Sequence, residues 1–206
     1  MKYMLFLFLI CSIFSCTSDS AKKKSEGKPN ILLIITDDQG WGDMSSHGNP
    51  HLETPGLDQL AAQGREYMNF YVDPVCAPSR AALLTGRFSY RTGAIGVSRG
   101  LEDMDPKEIT IAQLLQKEGY RTGCFGKWHN GRTYATHPNQ QGFDTFFGFR
   151  SGGIGNYFDP VLESNSKKVT TKGFVTDILT DQAIQFIEKN KTRPFFLYFP
   201  HAMTHN

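Results

Sequence analysis

An open, mostly parallel α/β sheet with helices on both faces is the architecture to which this sequence points. The continuous apolar run Ile31-Leu32-Leu33-Ile34-Ile35 has the length and β-branched content of a strand buried on both faces. Segments of helical period then alternate with short apolar runs. The last such pair joins Val175, Ile178, Leu179, Ala183, Phe186 and Ile187, at helical spacing, to the run Phe195 to Phe199 opened by Pro194. With 206 residues, 39% hydrophobic and 13% aromatic, the chain can bury a substantial core.

The first residues stand apart from that fold. Lys2 precedes an apolar stretch from Tyr3 to Phe14, too short to span a bilayer and suited to a signal-peptide core. Its end, Ile13-Phe14-Ser15-Cys16, resembles the bacterial lipobox, whose cysteine becomes lipid-modified and N-terminal. An ordinary signal peptide with a stray cysteine is the other reading. The expected organisation is residues 1–16 as signal peptide with lipobox, 17–28 as polar tether and 29–206 as the folded domain. The protein is then secreted across the inner membrane as a periplasmic or cell-surface lipoprotein, touching the membrane only through its lipid anchor. A net charge of +2, with scattered basic residues, argues against nucleic acid as a partner. Of four cysteines, Cys76 and Cys124 remain for the domain, and no disulfide is expected between them. Cys124, in an apolar run, reads as a buried thiol.

Along the domain, Ile31–Ile35 is expected as a central parallel strand. Thr54 and Pro55 read as N-cap and first helical position, with Leu57, Leu60 and Ala61 on one face and Gly64 as the stop. Thr110 and Gln113 can form a capping box before an apolar stripe of Ile111, Leu114 and Leu115, which Gly119 ends. Tyr120 to Phe125 follows as a strand. The Gly-, Asn- and Ser-rich stretch Asn130 to Lys172 reads as loop that shapes a cleft. The sequence stops at Asn206, after a strand and with no helix to cover it, so the domain is expected to be truncated at its C-terminal end.

Two segments carry chemistry. Thr36-Asp37-Asp38-Gln39-Gly40 lies at the carboxyl end of the first strand, where open α/β sheets bind ligands. Adjacent carboxylates suit a hard cation, although alone the pair reads more readily as a turn with two solvated aspartates. In Val75-Cys76-Ala77-Pro78-Ser79-Arg80, followed by Ala81 to Leu84, Pro78 and Ser79 favour a helix start, which sets Cys76 where anions are stabilised. Arg80, about one helical turn on, can reach back toward position 76.

These residues, with Thr85-Gly86-Arg87, resemble the C-x-P-S-R and T-G-R signature of the formylglycine-dependent sulfatases, arylsulfatase-like enzymes of the alkaline-phosphatase-like superfamily. The resemblance runs on through Gly126-Lys127-Trp128-His129, Gly142 to Gly148 and Pro194 to His205. It implies that a maturation enzyme oxidises Cys76 to formylglycine, whose hydrate attacks the sulfur of a sulfated carbohydrate or aryl sulfate. The covalent sulfated intermediate then collapses, releasing sulfate and restoring the aldehyde. Asp37, Asp38 and residue 76 match metal ligands, for Ca²⁺ first and Mg²⁺ second. By the same resemblance Arg80 orients the hydrate, Lys127 contacts sulfate or the hydrate oxygen, His129 is the base of the elimination and His205 protonates the leaving oxygen. His201 reads as structural, and His47, His51 and His137 as loop residues.

The resemblance implies an N-terminal portion only. The family's second pair of metal ligands and a second sulfate-binding lysine have no counterpart here, so the isolated chain is expected to be inactive. A phosphonate or phosphodiester hydrolase of the same fold, and a non-catalytic glycan-binding or relic lipoprotein, are the alternatives.

Overall fold

The structure is a computed structural model and describes residues 27–205; the signal peptide, lipobox and most of the tether lie outside the described residues. Six strands make one open sheet: β1 (Ile31–Ile35), β2 (Arg121–Lys127), β3 (Thr145–Phe149), β4 (Val161–Ser164), β5 (Lys167–Thr170) and β6 (Phe195–Pro200). Their order is β1-β6-β2-β3-β4-β5. The first four in that order are parallel, and β4 and β5 add an antiparallel hairpin.

Strand alternation divides the core into two layers. Cys124, Phe146, Phe196 and Tyr198 point to one face, against Ala81 and Leu84 of helix α2 (Cys76–Thr85) and Ala112 of α3 (Ile111–Lys117). Phe125, Phe147, Phe195 and Leu197 point to the other, against Val175, Leu179, Ala183 and Phe186 of α4 (Val175–Asn190). Helices therefore cover both faces, as expected. No helix among the described residues is long and apolar enough to cross a membrane.

Three expectations need correction. β1 is an edge strand, not a central one: among the described residues β6 is its only partner, and no described helix covers the face that carries Leu32 and Ile34. Those two side chains are about half exposed while Ile31, Leu33 and Ile35 pack inward, so a continuous apolar run has become an alternating one. The helix α1 (Pro55–Gln63) begins at Thr54 and ends at Gly64 as read, yet it buries nothing, and Leu57 and Leu60 stay exposed. The loop-rich stretch contains the β4–β5 hairpin, turned by Asn165 and Ser166 at φ 46° and 70°.

α3 carries its expected capping box. Thr110 Oγ1 accepts the Gln113 N–H at 3.2 Å, and Gln113 Oε1 accepts the Thr110 N–H at 2.9 Å. Its buried face runs through Ala112 and Leu115, with Ile111 and Leu114 left outside. Thr110→Ala frees the Gln113 amide donor and also removes the bond from Thr110 Oγ1 to the Gln141 carbonyl, 2.7 Å. A loss of about 1–2 kcal/mol in urea-induced unfolding is expected.

Candidate active site

The carboxyl ends of β1, β2 and β6 meet the amino end of α2, and the charged residues of the motifs converge there. β1 hands the chain to Asp37, 2% exposed, and then to Asp38, which turns out into solvent at φ 58°. The turn is clamped by the segment after β6: Asp37 N–H donates to the Met203 carbonyl at 2.9 Å, and Thr204 N–H donates to the Asp37 carbonyl at 2.6 Å. That clamp carries His205 to Asp38, with Nε2 3.8 Å from Oδ2. His201 stays out of the site, its Nδ1 accepting the Met203 N–H at 3.0 Å, with burial lowering its pKa.

Asp37 is the centre of a buried ionic triad. Oδ1 accepts from the Arg80 guanidinium at 2.9 Å and Oδ2 from the Lys127 ammonium at 2.6 Å. Both cations are 1% exposed. Arg80 is aimed from α2, and its second arm donates to the Lys127 carbonyl at 2.9 Å. In this structure both Arg80 and Lys127 donate to Asp37. The reason is electrostatic, since a buried carboxylate is the strongest acceptor within reach of either. The triad carries one net positive charge beneath the start of α2.

Cys76 is the first residue of α2, with Val75 as N-cap. Its Sγ lies 3.2 Å from His129 Nδ1. His129 follows β2 by two residues, but not in extended backbone: its φ is 49°, a strained conformation that turns the ring toward Cys76. Burial depresses its pKa to about 4 from the ordinary 6.5, with nearby Lys127 and Arg80 also lowering it and the Val97 bond opposing. The ring is neutral at pH 7 and able to accept a proton.

That shift fixes a stability prediction. Between the unfolded value of 6.5 and the folded value of about 4, the unfolded chain binds a proton that the folded chain refuses. His129 therefore makes stability fall as pH drops through that window, and His129→Gln is expected to flatten this part of the pH dependence of urea-induced unfolding.

Cys76, His129, His205 and Asp38 line a cleft of about 320 Å³, closed by Pro74, Val75, Val97 and Gly152. Asp37, Arg80 and Lys127 do not line it but lie buried close by, with both cations within electrostatic reach of His129. A larger cavity, about 470 Å³, opens at the opposite ends of β2 and β3 beside α4; it touches Asp144 and Thr145 of the Gly142 to Gly148 motif but none of the candidate site residues. The smaller cleft is the candidate site because the strained backbone, the buried charges and the thiol–imidazole contact all meet there.

Among the described residues no three His, Cys, Asp or Glu side chains stand close enough to hold a metal ion. Asp37 already serves two cations and Asp38 is exposed, so these residues do not by themselves fit a hard cation that takes six or more oxygen ligands. Cys76 and Cys124 are both free thiols, and burial raises the pKa of Cys124 well above its ordinary range.

A family model described as Sulfatase matches residues 29–206. The chain belongs to the sulfatase family. It is 37% identical over 206 residues to human N-acetylgalactosamine-6-sulfatase, an alignment covering 86% of this chain and 40% of that protein. With the N-acetylglucosamine-6-O-sulfatase of Bacteroides thetaiotaomicron it shares 35% over 198 residues, covering 94% and 33%. Among solved structures, Ps i-CgsB superposes with a TM-score of 0.81 at 37% identity, covering 87% of this chain and 46% of that one. A structure in complex with its substrate D-glucosamine-2-N,6-O-disulfate superposes with a TM-score of 0.75 at 32% identity, covering 87% and 35%. The phosphonate monoester hydrolase of Agrobacterium radiobacter, at 18% identity and a TM-score of 0.57, shares the fold alone. This sulfatase chain spans about 40% of the length of the curated relatives it matches.

Several residues around the sulfatase site escaped the sequence reading. Val97 and Gly152 lie against His129, Glu102 is within electrostatic reach of it, and Tyr198 lies buried beside Arg80. Tyr198 and Val97 carry no local signal, because a strand tyrosine and a loop carbonyl are invisible to residue-type patterns. Glycine in the Ser151-Gly152-Gly153 run was visible but ambiguous between turn and close approach.

Proposed function

We propose that the protein is a sulfuric-ester hydrolase acting on sulfated carbohydrates. The observation that carries this reading is the contact of Cys76, at the start of α2, with the unprotonated nitrogen of a neutral buried histidine, near a buried cluster of net positive charge. Converted to formylglycine by a maturation enzyme, residue 76 would supply a hydroxyl nucleophile for sulfur. His129 Nδ1 is placed to take a proton from a group at that position. His205, which lines the same cleft and is partly exposed, is the group this reading assigns to give one to the leaving oxygen. Arg80 and Lys127 leave a positive charge near the cleft that favours a tetrahedral anion, and the start of α2 adds its dipole. Ca²⁺, with Mg²⁺ second, is the metal this reading assigns to Asp37, Asp38 and residue 76, given oxygen donors beyond those described; no step above depends on it.

The carbohydrate class rests on the names of the relatives. Location as a periplasmic or cell-surface lipoprotein rests on the lipobox-like Cys16. Mass spectrometry of the Cys76 peptide from the native host tests the reading: a formyl group in place of the thiol side chain is expected, and cysteine throughout overturns it. Palmitate labelling that survives Cys16→Ala would overturn the anchor.

A further inference from the structure

His129 is held on three sides, by Cys76 of the motif and by two groups outside the motifs. Nδ1 stands 3.2 Å from Cys76 Sγ, and Nε2 stands 3.0 Å from the Val97 carbonyl oxygen. A Cβ on Gly152 would fall 2.6 Å from Cε1 and Nε2 of the ring, so the imidazole lies against bare backbone and has no room to turn. A carbonyl oxygen can only accept. Nε2 therefore bears the ring hydrogen, and the Nδ1 lone pair faces residue 76.

The Val97 carbonyl is aimed by a tight loop. Ile95 and Gly96 N–H groups both donate to the Leu101 carbonyl, at 2.8 and 2.9 Å, and Leu101 N–H donates to the Ser98 carbonyl at 3.1 Å. Gly100, at φ 83°, donates its N–H to Glu102 Oε2 at 2.9 Å. Met104 N–H donates to the Asn130 carbonyl at 3.3 Å, which ties the loop to the residue after His129. Glu102 is 4% exposed, and Arg132, 3.8 Å away, is itself mostly in solvent. A carboxylate buried with so distant a counter-ion is costly, and none of the chemistry above uses it.

We propose that Glu102 is a positioning residue that fixes the Val97 turn and so locks His129 in the Nε2–H tautomer, the form whose Nδ1 can take a proton from residue 76. The role of His129 as base rests on the sulfatase reading, but the lock itself is a property of this chain and is read without turnover.

The test is side-chain ¹⁵N NMR of histidine-labelled protein at neutral pH, with His129 assigned by the signals lost in His129→Gln. The native protein is expected to show one tautomer, Nδ1 bare and Nε2 protonated. In Glu102→Ala the two nitrogen shifts should converge as the tautomers mix. Glu102→Gln, whose amide oxygen still accepts from Gly100, should keep them apart. Should Glu102→Ala fail to fold, Glu102→Asp withdraws the acceptor by one methylene and is expected to move the shifts in the same direction. A native Nδ1–H tautomer, or shifts unchanged in folded Glu102→Ala or Glu102→Asp, overturns the proposal. Loss of the aldehyde at residue 76 would overturn the sulfatase reading and leave the lock standing.

Discussion

Asp37→Asn is expected to destabilise the protein by about 3–5 kcal/mol, because it strands two buried cations at once. Arg80 and Lys127 are each 1% exposed, and the Asp37 carboxylate is the anion both of them touch. The amide keeps the shape and one acceptor oxygen but removes the charge, leaving two like charges in a site that water hardly reaches. Lys127→Met should cost less, about 1–3 kcal/mol, even though it deletes the shorter of the two bonds. It leaves Arg80 and Asp37 as a balanced pair and one carboxylate oxygen short of a donor. Urea titration of the two variants under identical conditions checks the ordering, and Lys127→Met proving the more damaging would show that the triad is not organised around Asp37.

Much of the fold was legible because its signals are local. The capping box at Thr110 and Gln113, the Pro55 start of α1 and the helical period of Val175 to Ile187 each depend on residues a few positions apart. Strand order is not a local property. Ile31–Ile35 has the composition of a doubly buried strand, and whether both faces are covered depends on elements far away in sequence. The β4–β5 hairpin was missed for a related reason. Its strands are four residues each and mostly polar, and their three apolar residues, the adjacent Val161 and Leu162 and the lone Val169, give period-two patterning nothing to register.

The site divides along the same line. Position in the sequence drew attention to Asp37, Asp38, Cys76 and Arg80, and the resemblance added Lys127, His129 and His205; Asp38, Cys76, His129 and His205 line one cleft, while Asp37, Arg80 and Lys127 form a buried ionic triad. The partner of each group was beyond such reading. Extended geometry would set Lys127 and His129 side by side, whereas the left-handed φ at His129 sends Lys127 to Asp37 and the imidazole to Cys76. The carbonyls of Lys127 and Val97, which receive Arg80 and His129, leave no mark in a pattern of side chains.

Gly126→Ala is expected to abolish folding altogether. A Cβ at this position would lie 1.9 Å from the Pro200 carbonyl oxygen, and that oxygen belongs to the backbone of β6, which cannot swing aside as a side-chain tip could. The φ of 135° is also one that L side chains rarely adopt. Relief requires parting β2 from β6 at their carboxyl ends, where Lys127 must reach across to Asp37. Separating them would break the parallel ladder and the ionic triad together, against a total stability of roughly 5–15 kcal/mol for an ordinary domain. Gly86→Ala is the control. Gly86 is left-handed too, at φ 65°, but open space surrounds its Cβ position, so only the conformational penalty of about 1–2 kcal/mol applies. Circular dichroism melts should show Gly86→Ala unfolding cooperatively a few degrees below the native protein, with no folded Gly126→Ala recovered. A cooperative melt for Gly126→Ala would mean that the strands can separate at this end, and the close packing that holds the ionic triad in place would have to be abandoned as its cause.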